Sequence, residues 1–129
     1  MQRRRDPHRR LDFTETSGVV AAEALLTAAE LPTAVVAAND RIAIGILDTM
    51  RRAGVEVPLE VSVTGYDNST LARLSHLDLT TVSQAPLEQA DRAVSALTEQ
   101  LDSGRTEAIV SVLTPQLIVG RTTGMARDA

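Results

Sequence analysis

Two short apolar runs, each ending in polar residues, stand out in the hydrophobic pattern of the chain. The first, Val35–Asp40, ends in Asn-Asp, and the second, Val61–Asn68, ends in Asp-Asn. Continuous apolar runs are typical of parallel strands that are buried on both faces. One helix-length segment separates them, so the pattern predicts a strand–helix–strand unit. Asn39 and Asp67 would then lie at the carboxyl ends of neighbouring strands, where open α/β sheets bind ligands.

The rest of the pattern predicts further helices and strands. Helices are predicted from a Thr14 cap to Ala29, over Arg41–Ala53 and from Pro86 to Gly104. Strands are predicted over Ala34–Ala38, Val61–Tyr66, Leu79–Val82, Ala108–Leu113 and Leu117–Gly120. A short helical or irregular stretch is predicted over Ser69–His76. Helices that alternate with strands in this way predict an α/β fold, with a mainly parallel sheet flanked by helices. Near Ser83–Pro86 the chain could pass from one compact unit to another.

Composition places the chain among globular proteins. It has 129 residues, of which 43% are hydrophobic, enough for one domain with a core of its own. Phe13 and Tyr66 are the only aromatic residues, so the core must be aliphatic. No apolar run approaches the roughly 20 residues of a membrane span, and no secretory signal is visible at the amino end. We therefore expect a cytoplasmic protein without a membrane partner.

The charge is unevenly distributed. The net charge is −4, yet residues 1–10 hold five arginines and one acidic residue. The remainder, with eight arginines and sixteen acidic residues, is a poor surface for nucleic acid. We interpret residues 1–11 as a basic, disordered tail or a remnant of a longer parent chain, and residues 125–129 as a frayed tail.

Residues that could support catalysis or bind metal are sparse. The chain has no cysteine, which excludes disulfides and thiolate metal sites. His8 and His76 have no partner at metal-ligand spacing, and Ser62, Ser69 and Ser75 lack a nucleophile-elbow context. No glycine-rich phosphate loop follows a strand. The sequence therefore predicts neither a metal site, nor a cofactor, nor an enzyme.

Several spaced motifs resemble the LacI/GalR family of bacterial transcription regulators. They are Pro32–Asp40, Ala43-Ile44-Gly45, Gly54 with Val57-Pro58, Val61–Asp67, Leu79–Gln84 and Arg121–Gly124. The resemblance extends in the family's order from about Asp12 to Gly124. It implies an effector domain of the periplasmic-binding-protein type, in which a sugar or small metabolite binds between two lobes.

The resemblance also implies a division of the chain. It matches only the final third or so of such a regulator, without the helix-turn-helix, the hinge helix and most of the first lobe. Residues 12–84 would form the second lobe, and residues 85–124 would supply a helix and strands that belong partly to the first lobe. In the family, effector binding shifts the DNA-binding equilibrium, so DNA would be contacted only through segments missing from this chain.

Four residues are candidates for binding an effector. The family places a carboxylate at Asp67, and a carboxylate can accept hydrogen bonds from two adjacent sugar hydroxyls. Asn39 can both donate and accept, although it could equally be a helix cap. Phe13 matches a ligand-packing aromatic of the family or packs in the core, and Gln84 matches a hinge position near the ligand. We expect Asp40 to be a cap or a structural acceptor.

The sequence alone is also compatible with other functions. The chain could be a remnant that self-assembles without sensing, a sugar-binding protein of the transport type, or a small α/β enzyme. The apolar stripe Leu87–Leu101 would lack its usual partner from the first lobe, and an exposed face of that size should be covered. We therefore expect a homodimer, for which exchange of the carboxyl-terminal helix and strand between chains is one possible form.

Overall fold

A computed structural model describes residues 12–126, so the predicted tail at residues 1–11 lies outside the described residues, as do residues 127–129. The elements in chain order are α1 (Glu15–Leu26), β1 (Ala34–Val36), α2 (Asp40–Arg52), β2 (Ser62–Thr64), β3 (Thr81–Ser83), α3 (Pro86–Ser103) and β4 (Gln116–Ile118). The α/β class is thus confirmed. Residues 69–76 form turns rather than a helix.

The predicted strand–helix–strand unit is present. β1 and β2 pair in parallel, with Val35 opposite Val63, and α2 connects them. A parallel bridge between Thr64 and Thr80 extends this sheet beyond β2. β3 and β4 form a separate antiparallel pair, with Val82 opposite Leu117. The carboxyl ends of β1 and β2 therefore lie side by side, as the apolar runs predicted.

α1 and α2 pack with their backbones in close contact. A Cβ atom on Gly18 would overlap with the carbonyl oxygen of Ile42, and one on Gly45 would overlap with the carbonyl oxygen of Glu15. Only glycine permits such an approach at these two positions. The contact places the first turn of α1 beside the first turn of α2, next to the ends of the strands.

The core is aliphatic, as the composition predicted. Ile46, Leu47 and Met50 of α2 are fully buried, together with Val61 and Val63 at β2. The stripe that α2 turns towards the sheet supplies much of this cluster, since apolar residues three and four positions apart share one face of a helix. Burial of these side chains fixes α2 against β2 and hence fixes where α2 begins.

The carboxyl-terminal segment returns to the first sheet through Thr122. The backbone N–H of Val63 donates to the carbonyl of Thr122 at 2.8 Å. The Thr122 hydroxyl donates to the carbonyl of Val63 at 2.7 Å and accepts from the N–H of Thr80 at 2.9 Å. Thr122 is 1% exposed, so these bonds form in the interior. It thus fills the space between β2 and Thr80.

The prediction of a strand at Ala108–Leu113 is wrong. Residues 104–115 contain no helix or strand, and they run beside α3, where Arg92 Nη1 donates to Ser111 Oγ at 2.7 Å. A strand forms only where a neighbouring strand can pair with its backbone N–H and C=O groups. The helix α3 cannot serve as that neighbour, because its own backbone groups are already paired within the helix. The strand predicted at Leu117–Gly120 is present as the shorter β4, and α1 ends at Leu26 rather than Ala29.

Candidate functional site

Asn39 caps the amino end of α2 and joins it to the segment that precedes α1. Its Oδ1 accepts from the N–H of Ile42 at 2.8 Å, which makes it the N-cap, and its Nδ2 donates to the carbonyl of Phe13 at 3.0 Å. The side chain is therefore a helix cap, and both of its polar ends are engaged within the chain. An amide retains a second N–H and a second lone pair on its oxygen, so a further partner remains chemically feasible.

Asp67 follows the carboxyl end of β2 and is exposed. Its Oδ1 accepts from Nε2 of Gln84 at 3.4 Å, and its Oδ2 accepts no hydrogen bond from residues 12–126. Two residues singled out from the sequence, seventeen positions apart, are thus brought together. A free carboxylate oxygen beside an amide offers both acceptors and donors to a polyhydroxylated molecule.

Phe13 lies at the surface rather than in the core. Its side chain is 67% exposed, while its carbonyl accepts the hydrogen bond from Asn39. The backbone of Phe13 therefore lies beside the start of α2. An exposed aromatic ring provides a flat apolar surface for a ligand that is apolar on one side.

Asp40, the residue after the cap, is a buried structural acceptor. Its Oδ1 accepts from the Thr81 hydroxyl at 2.5 Å and its Oδ2 from the N–H of Ser69 at 2.6 Å. Because Asn39 is the cap, Asp40 has the other role expected for it, that of a structural acceptor. These partners lie 29 and 41 residues away, and no local pattern in the sequence identifies them.

The entrance to α1 is fixed by charged and hydroxyl groups. Hydrogen bonds from the Thr14 and Ser17 hydroxyls lower the pKa of the Asp12 carboxyl. Arg41 Nη2 donates to Glu15 Oε2 at 2.7 Å and its Nε to Oε1 at 2.9 Å, and this paired fork lowers the pKa of Glu15. Together they hold the segment that carries Phe13 against α2.

The described residues offer neither a metal site nor a membrane-spanning helix. Within residues 12–126, no three His, Asp or Glu side chains gather as metal ligands would. None of the helices in the same range is both long and apolar enough to cross a bilayer. A cavity of about 380 Å³ lies between α3 and residues 109–113, lined by Gln89, Arg92, Ala93 and Ala96 among others. None of the four candidate effector-binding residues lines it.

Comparison with known proteins identifies the class of domain. The family described as periplasmic binding protein-like domain matches residues 1–123, and the chain belongs to this family. Its relatives within the family are LacI-family transcriptional regulators, and the chain corresponds to part of their effector-binding domain. The resemblance inferred from the sequence motifs is thus confirmed.

Two repressors illustrate the relationship. The HTH-type transcriptional repressor PurR of Vibrio atlanticus is 34% identical over 90 residues, which cover 70% of this chain and 27% of that protein. The ribose operon repressor of Haemophilus influenzae is 34% identical over 89 residues, covering 69% and 27%. The chain spans about a quarter of the length of these curated relatives. Transcriptional repressors are not enzymes, in agreement with the sequence-based expectation.

Solved structures agree. A LacI transcriptional regulator from a Rhodococcus species superposes with a TM-score of 0.79 at 46% identity, covering 86% of this chain and 41% of that one. A complex of the regulator CelR with cellobiose gives 0.76 at 34% identity, covering 86% and 34%. A LacI-family regulator from Enterococcus faecium with bound ribose gives 0.77 at 25% identity, covering 88% and 41%.

Proposed function

We propose that the chain contributes one wall of an effector site in a LacI-type regulator, and that the effector is a sugar or small metabolite. The observation that carries this proposal is the free Asp67 carboxylate oxygen beside the Gln84 amide at the end of β2. Asn39 and the exposed ring of Phe13 would complete the same wall. The ribose and cellobiose bound to two structural relatives are polyhydroxylated ligands of the kind that such groups recognise.

The mechanism proposed is linkage between effector and DNA. An effector that binds one arrangement of the two lobes more tightly shifts the equilibrium towards it, and with it the affinity for DNA. We propose that DNA is contacted by other parts of the parent regulator, because the body after residue 10 carries sixteen acidic residues against eight arginines. A repressor acts on DNA, so the proposed location is the cytoplasm.

Isothermal titration calorimetry with ribose and with cellobiose tests the effector site. We expect heat of binding with at least one of these sugars, and we expect Asp67→Asn to weaken that binding by at least tenfold, because the substitution removes a charged acceptor. The matched control is Asp91→Asn on the exposed surface of α3, which should bind like the wild type. If neither sugar binds the wild type, ribose and cellobiose are excluded as effectors; if Asp67→Asn binds as tightly as the wild type, the proposed site is wrong.

The second candidate function is self-assembly without sensing, and α3 supports the assembly part of it. None of its residues is buried, and its apolar stripe is 58 to 82% exposed at Leu87, Val94, Leu97 and Leu101. This stripe repeats every three and four positions, the spacing with which two helices interlock. We propose that it is covered by the same stripe of a second copy, which would give a homodimer; exchange of α3 and β4 between copies is one form of it.

Light scattering tests the assembly. We expect the wild type to have twice the chain mass and Leu97→Glu to have the mass of one chain, because a charge in the stripe cannot be desolvated without a partner. Gln100→Glu, which adds the same charge to the same helix about 100° from the centre of the stripe, should remain dimeric. A monomeric wild type at high concentration would contradict the proposal.

A further inference from the structure

The backbone that carries Asp67 has an uncommon conformation. Asp67 has a φ of 116° and Asn68 a φ of 50°, so two successive residues other than glycine lie in the left-handed region. Side chains with a Cβ atom rarely adopt such values, and the conformation persists only where the surroundings impose it. The side-chain oxygen of Asn68 is buried without a hydrogen-bond partner in residues 12–126, so that side chain does not hold the loop.

Asp40 bonds to both flanks of this strained pair. Its backbone N–H donates to the carbonyl of Tyr66 at 2.8 Å, immediately before Asp67. Its carboxylate accepts from the N–H of Ser69 at 2.6 Å, immediately after Asn68. One residue therefore clamps the loop on either side of the candidate ligand carboxylate.

Thr81 extends the clamp to the centre of the loop. Its hydroxyl donates to Asp40 Oδ1 at 2.5 Å and accepts from the N–H of Asn68 at 3.2 Å. The N–H of Asp67 itself donates to the carbonyl of Val82 at 2.9 Å. Three successive backbone donors are thus satisfied by Val82, Thr81 and Asp40, which leaves the loop little freedom to move.

The buried carboxylate of Asp40 is suited to this role. It is 1% exposed and lies in the first turn of α2, where the helix dipole favours a negative charge. Gly65 packs so closely that a Cβ atom there would overlap with Asp40 Oδ1. Hydrogen bonds to an ionised acceptor are shorter and stronger than neutral ones, so they can hold a strained loop. The same burial keeps Asp40 away from any ligand.

We propose that Asp40 is a positioning residue for effector binding. It holds the Asp67 loop in the conformation that presents the Asp67 carboxylate, and it acts through that residue without touching the effector. The effect on affinity rests on the proposed function, whereas the effect on the loop does not. Because Asn39 is the adjacent residue and caps the same helix, the start of α2 would align both candidate contacts.

The experiment compares Asp40→Asn with Asp48→Asn, an exposed aspartate of the same helix, by amide hydrogen exchange and by calorimetry with ribose and cellobiose. We expect Asp40→Asn to speed exchange of the Ser69 amide at least tenfold, and to weaken sugar binding at least tenfold. Exchange of the Val63 amide, which is bonded to Thr122 in the core, should stay within twofold. Asp48→Asn should match the wild type in all three measurements.

A second pair of variants covers the case in which Asp40→Asn does not fold. Thr81→Val removes the hydroxyl and should speed exchange of the Asn68 amide at least tenfold, while Thr81→Ser keeps the hydroxyl and should restore the wild-type rate. Unchanged Ser69 and Asn68 exchange would overturn the proposal, as would an equal rise at Val63, which indicates a general loss of stability. If the wild type binds neither sugar, these two sugars are excluded as effectors, and the exchange data still decide whether Asp40 positions the loop.

Discussion

Gly18 and Gly45 face each other where α1 crosses α2, and a Cβ atom on either would enter the backbone of the opposite helix. We therefore expect Gly45→Ala to destabilise the fold although alanine favours helix. Separation of the helices should cost up to about 3 kcal/mol, against a gain of about 1 kcal/mol in helix propensity. Urea unfolding measures the difference.

The control for this substitution is Thr16→Ala, which also introduces alanine on one of the two helices but at an exposed position. It should change the free energy of unfolding by less than about 0.5 kcal/mol. A Gly45→Ala variant as stable as the wild type would show that separation of the helices costs no more than the gain in helix propensity.

Thr122 supplies a hydroxyl that two backbone groups of the sheet require. We expect Thr122→Val, which keeps the shape and removes the hydroxyl, to cost about 1–3 kcal/mol because it leaves the N–H of Thr80 unpaired in the interior. Thermal or urea unfolding measures this loss. Thr106→Val, at an exposed position, is the matched control and should be neutral; equal stabilities of the two variants would count against the role of the hydroxyl.

Asn39 combines a cap with a link between helices, and two substitutions separate these roles. Asn39→Ala removes both and should cost about 1–2 kcal/mol. Asn39→Asp retains an acceptor for the N–H of Ile42 and loses only the donor to Phe13, so it should cost less. Urea unfolding of both variants measures which one loses more stability. A larger loss of stability for Asn39→Asp than for Asn39→Ala would contradict the role of Asn39 as a cap.

Asp12 should make stability depend on pH. Hydrogen bonds from Thr14 and Ser17 lower the pKa of its carboxyl below the ordinary 3.8, so the folded state favours the ionised form. This contribution is present above pH 3.8 and is lost as the pH falls through the lower folded value. Thr14→Val should flatten the loss of stability below pH 3.8, measured by urea unfolding at a series of pH values. An unchanged slope would show that the hydroxyl does not act on Asp12.

The part of the fold that depends on local signals was predictable. β1, α2 and β2 follow from two continuous apolar runs, a capping residue at Asn39 and a helix stop at Gly54. The proposed strand at Ala108–Leu113 failed because an apolar run does not reveal whether a neighbour exists to pair with it. The division of the chain into parts of two lobes remains a prediction.

The candidate site was less accessible to sequence reasoning. Asp67 and Gln84 could be named from their place in the family's motifs, but their contact depends on how residues 78–83 run beside β2. Asn39 and Asp40 are both residue types that cap helices, and only the fold shows that the first caps while the second binds Thr81 and Ser69. Long-range polar partners of this kind have no local signature.

The position of Thr122 also has a consequence for biosynthesis. The groups that it pairs, on Val63 and Thr80, leave the ribosome long before it does. Until then the backbone of Val63 lacks its bonds to Thr122, and an unpaired strand edge is prone to aggregate. In a nascent chain this edge of the sheet therefore stays unpaired until residue 122 has been synthesised and has left the ribosome.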